Sequence, residues 1–84
     1  NAWAQYPDSA AIAAVVRDHK ARLAGEFRQR LARVAPRQDT GHLAETLFLL
    51  HEGMTQAARL QGREIAYEAA MHAARAALAA QNID

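Results

Sequence analysis

Residues 49–62 read LLHEGMTQAARLQG, and they belong to a longer helical run that starts near His42 and stops at Gly62. A glycine in a helix interior costs about 1 kcal/mol relative to alanine, so Gly53 calls for a compensating gain. At about 100° per residue, Gly53 shares a flank with Thr46, Leu49, Ala57 and Leu60. Leu43, Leu47, Leu50 and Met54 form the central stripe, and Ala44, Phe48, His51 and Thr55 form the opposite flank. Only Glu45, Glu52, Gln56 and Arg59 make a polar strip. The apolar arc spans roughly two-thirds of the circumference, well beyond the ~100° stripe of a surface helix. This helix must be covered from two directions.

Working outward, punctuation sets two more helices. Pro7-Asp8-Ser9 offers a turn and an N-cap, and Ala35-Pro36 ends the run that follows, because a residue before proline avoids the helical region. That places a first helix over 9–35. A new start at Asp39 or Thr40 opens the second, 40–61, and Gly62 is its C-terminal stop. The third, 64–81, is nearly continuous alanine, the strongest helix former. β-branched residues are few and do not alternate, so no strand competes and the fold class is all-α.

The first helix carries one stripe, Ile12, Val15, Val16, His19, Leu23, Phe27, Leu31 and Val34, backed by Ala14, Ala21, Gly25 and Ala32 among polar residues. The third again has two sides. Tyr67, Met71, Ala74 and Leu78 lie on one, and Ala66, Ala69, Ala70, Ala73, Ala76, Ala77 and Ala80 on the other. Alanine buries little area but lets helix axes approach to the short end of the usual 8–10 Å.

The chain has 84 residues, 51% hydrophobic and 6% aromatic, which bounds it to a single domain with an aliphatic core. It has no cysteine, and no apolar run approaches the roughly 20 residues needed to span a bilayer, which points to a soluble, cytoplasmic protein. Ten Lys and Arg balance nine Asp and Glu for a net charge of +1 without a basic block, so the chain offers no DNA-reading surface of its own. A start at Asn1-Ala2 rather than at Met reads as an expression scar or as a cut within a longer protein, and in either case as a fragment.

One helix cannot cover the second faces of two others. The simplest remaining partner is a second copy about a two-fold axis, giving a four-helix bundle from the last two helices of each protomer. The expected dimer interface is Thr46, Leu49, Leu50, Gly53, Ala57 and Leu60, facing Ala66, Ala69, Ala70, Ala73 and Ala77.

The order AAIAAVVRDHKARLAGEFRQRLARV, a polar turn with Pro36 and Asp39, HLAETLFLLHEGMTQAARLQG and the closing AAMHAARAAL resembles the C-terminal regulatory domain of tetracycline-repressor-like (TetR/AcrR) bacterial transcriptional regulators. In that resemblance the leading NAWAQYPD is the end of a preceding helix, and Arg63 departs from the acidic cap often found after the glycine. The resemblance implies a homodimer formed by the last two helices and a small-molecule effector, apolar or amphipathic, bound beside the first. It also implies DNA binding only through an N-terminal helix-turn-helix outside this sequence, with the chain acting as part of a repressor. The alternative is a stand-alone helical dimerisation or adaptor protein.

On this reading His19, Leu23, Phe27, Leu47, Phe48 and His51 are the ligand-pocket candidates. Each has a plainer reading: His19 and His51 as core histidines with a hydrogen-bond partner, the phenylalanines as core. Met54 and Met71 read as core fillers. Glu52 reads as a solvated charge or as one half of a salt bridge across the dimer, and Glu26 with Arg30 as an i,i+4 pair. No cofactor or metal is expected. His42-x-x-Glu45 and Glu68-x-x-x-His72 have the wrong order or spacing for a di-iron bundle, and there is no zinc helix, phosphate loop or nucleophile elbow. The chain is therefore not expected to be an enzyme.

Overall fold

The computed structural model describes residues 9–83. The Pro7-Asp8 start signal and the preceding helix expected in 1–8 lie outside the described residues. Three helices follow one another: α1 (Ser9–Val34), α2 (Gly41–Gln61) and α3 (Arg63–Ala80). No strand occurs among the described residues, and no helix there is long and apolar enough to cross a membrane.

Each boundary has a local cause. The backbone N–H of Ala35 still donates to the Leu31 carbonyl at 2.9 Å, and Pro36 then stops the ladder. At the start of α2 the cap comes from Asp39, whose Oδ1 accepts the Gly41 N–H at 3.1 Å. Thr40 makes no side-chain cap bond and is buried. Gly62 alone joins α2 to α3, at φ 96° and ψ 149°, a region essentially restricted to glycine. Its N–H closes α2 on the Ala58 carbonyl at 3.2 Å, while its own carbonyl accepts the Ala66 N–H at 3.4 Å.

The end of α3 carries a feature that the sequence reading does not include. Asn82 is left-handed, at φ 59°. Its N–H donates to the Ala79 carbonyl and the Ile83 N–H to the Leu78 carbonyl, both at 3.0 Å, which is a Schellman motif. The motif turns Ile83 back into the core, where it packs with Leu31, Ala35, Leu43 and Ala44, with Phe27, Leu47, Ala77 and Leu78 against them. Two amides close the same end: Gln38 Nε2 donates to the Gln81 carbonyl, and Gln81 Nε2 to Gln38 Oε1, each at 3.0 Å.

This core sits at one end of a single layer of helices, with α2 between α1 and α3. The extents are 50 × 29 × 13 Å, and 13 Å is about the diameter of one helix with its side chains. The radius of gyration is 16.0 Å, where a compact chain of this length would have about 12 Å.

That thinness corrects two expectations. The stripe of α1 is not buried along its length: Leu31 is, Leu23 and Phe27 are half-buried, and Ile12, Val15, Val16, His19 and Val34 are exposed. The reason is that α1 has α2 as its one substantial neighbour, so the part of the stripe turned away from α2 stays open to solvent. The alanine side of α3 is also not wholly turned outward. Ala66 is 3% exposed and Ala77 packs on the core, so both serve packing within the chain, while Tyr67 from the opposite side is exposed.

Candidate functional site

The site is read best as two flanks of α2. On one flank, α2 and α3 leave a shallow groove of about 220 Å³ lined by Leu49, Leu50, Gly53, Met54, Ala57 and Gln61 and by Ala66, Ala69 and Ala70. Seven of the expected interface residues, the buried Ala66 among them, thus meet on one surface. Leu49 is 60% exposed, and Leu60, which does not line the groove, is 90% exposed; Gly53 and Ala69 are also exposed. Thr46, Leu50, Ala57, Ala70 and Ala73 are half-buried. The Thr46 hydroxyl donates to the His42 carbonyl at 3.1 Å, so its methyl rather than a free donor characterises it on this flank. A Cβ built on Gly53 meets nothing within 4 Å. Within one chain the glycine therefore permits no close approach; the space it leaves faces outward.

On the other flank, α1 and α2 form a more enclosed groove of about 330 Å³. His19, Leu23 and His51, three of the pocket candidates, line it together with Val16, Lys20, Glu52, Thr55, Gln56 and Arg59. Phe27 braces it from below, with its ring centroid 6.3 Å from that of His51 and the planes at 62°. An edge-to-face pair of this kind fixes an imidazole without hydrogen bonding it. Leu47 belongs instead to the core, and Phe48, half-buried on α2, does not line the groove.

The polar groups differ from expectation in three respects. Glu52 pairs with Lys20 of its own chain across the groove, so it is neither a free solvated charge nor committed to a second protomer. Glu26 and Arg30 make no salt bridge among the described residues. His51 does not have the hydrogen-bond partner of a satisfied core histidine: its Nδ1 is buried without one, and the nearest carboxylate oxygen, Glu52 Oε2, is 4.0 Å away. Thr55 Oγ1 donates along the helix to the His51 carbonyl at 2.9 Å.

Val16, Lys20, Glu52, Thr55, Gln56 and Arg59 line the groove although the sequence does not mark them as pocket residues. Arg59 stood on the polar strip of the second helix, and only the crossing of α1 over that strip makes it part of a cavity wall. Among the described residues, no three His, Asp or Glu side chains come together as metal ligands. Compared with protein-family models, curated proteins and solved structures, the chain matches none.

Proposed function

We propose that the chain is a ligand-sensing and dimerisation domain of a TetR-like transcriptional regulator, with no chemistry of its own. It couples effector binding in the α1–α2 groove to operator binding by an N-terminal helix-turn-helix domain of the same polypeptide, in the cytoplasm. The observation that carries this reading is the division of labour on α2. One flank offers a polar-and-apolar groove, and the other an apolar surface of leucines, glycine and alanines that no other described element of the chain covers.

The exposed area supports a missing partner. The chain presents 6730 Å², against about 4,900 Å² for a compact monomer of its mass, and it buries only about half of its unfolded surface. Stable domains are built from two packed layers, and here there is one. A second copy laid on the α2–α3 face completes both a bundle and a core. An effector that prefers one arrangement of this bundle would shift the spacing of two DNA-binding heads, which requires different affinities for the two states rather than binding alone.

Sedimentation tests the assembly. The wild-type chain should run as a dimer, and Gly53→Leu should shift it toward monomer or aggregate. If Gly53→Leu sediments as an unaltered dimer, the interface assignment is wrong. The encoding gene tests the rest: a helix-turn-helix in the same reading frame before Asn1 supports the regulator, and an initiator Met at that point leaves a free-standing helical adaptor.

A further inference from the structure

The α1–α2 groove has a chemical bias that narrows what it can hold. Its formal charges are Lys20, Arg59 and Glu52. The Lys20–Glu52 pair cancels two of them, and among the described residues Arg59 makes no salt bridge. The remaining polar side chains are rich in donors. Arg59 brings a guanidinium fork, Gln56 an amide NH₂, and His19 and His51 each offer at least one N–H in any protonation state. The acceptors are fewer: Glu52 gives Oε1 to Lys20 and keeps Oε2, 4.0 Å from His51 Nδ1, beside the Gln56 amide oxygen and the Thr55 hydroxyl. Val16 and Leu23 supply an apolar wall opposite.

We propose that this groove binds a small organic anion: a carboxylate on Arg59 and the histidine N–H groups, with an apolar body against Val16 and Leu23. The proposal rests on the ligand-sensing reading of this groove and adds its chemical class. A guanidinium left without a counter-charge beside apolar walls is matched by a planar carboxylate, which accepts two parallel hydrogen bonds from it. A volume of about 330 Å³ lies at the small end of ligand pockets, which favours a compact acid over a large drug-like molecule. A cation would meet the uncompensated Arg59, and a neutral apolar molecule would leave the donors covered and unpaired.

The test titrates the full chain with benzoate, benzamide and benzylamine, following the His19 and His51 ring signals and the Val16 and Leu23 methyl signals by NMR. Benzoate should saturate these four residues together and bind at least tenfold more tightly than benzamide, with benzylamine weaker still. Arg59→Gln should lower benzoate affinity about tenfold and leave benzamide unchanged, while Arg59→Lys should retain part of the difference. Equal affinity for benzoate and benzamide, both saturating the groove signals, overturns the anion assignment but leaves a ligand-sensing groove. Benzoate shifts outside the groove, or undiminished benzoate binding by Arg59→Gln, also overturn it. Failure of all three probes to saturate any groove signal overturns the anion and the ligand-sensing reading together.

Discussion

The ring of Phe27 on α1 meets the imidazole of His51 on α2 edge-on, with centroids 6.3 Å apart. This contact links the core end of the α1–α2 pair to the groove above it, because Phe27 packs on the core cluster and His51 lines the groove. Removing the ring should therefore loosen both. Phe27→Ala is expected to lower stability by about 2 kcal/mol, below the usual cost for a fully buried ring because Phe27 is half-buried. Urea unfolding would measure it, and a loss under 0.5 kcal/mol would show that the pair does not brace the helices.

His51 itself should be replaceable. Its buried Nδ1 lacks a partner, so an apolar side chain removes an unsatisfied group along with the ring. His51→Leu is expected to leave the urea midpoint unchanged or to raise it. A fall of more than about 1 kcal/mol would mean that Nδ1 has a partner in solution.

Among the described residues, Gly62 is the glycine whose backbone geometry requires it. With φ at 96° and ψ at 149°, Gly62→Ala should cost about 1–3 kcal/mol even though a Cβ there meets no atom within 4 Å. Thermal unfolding of this variant, with no loss of helix content in the folded state, would separate backbone strain from lost packing.

Gly25 and Gly53 make a matched pair, since both lie inside helices and each has room for a Cβ in the single chain. Gly25→Ala is expected to stabilise by up to about 1 kcal/mol at every protein concentration. Gly53→Ala should show the same gain only in dilute solution and should weaken self-association, because its Cβ fills the space a partner helix would occupy. Identical behaviour of the two variants across concentrations would place the interface elsewhere.

The tail after α3 is predicted to be part of the fold rather than an appendage. Ile83→Ala should cost about 2–4 kcal/mol, since Ile83 is buried in the core cluster. Asn82→Gly should be tolerated in the left-handed cap, and Asn82→Val should lose about 1–2 kcal/mol. Chemical denaturation of the three variants would check the order.

The sequence by itself determined the helices and their stops. Ala35-Pro36, Asp39 and Gly62 act through local backbone chemistry, and alanine propensity needs no tertiary help, so the boundaries are within a residue or two of those observed. Periodicity also determined that α2 is apolar around most of its circumference. Which neighbour covers which sector was left to tertiary structure. Packing turned Ala66 and Ala77 inward, drew Lys20 to Glu52, carried α1 across Arg59, and used a left-handed Asn82 to bring Ile83 into the core. These outcomes depend on helix crossing and on the length of each connection, which no single helix encodes. Gly53 joins the two levels. Its sequence neighbours place it on an apolar flank, and the fold leaves that flank open to the outside.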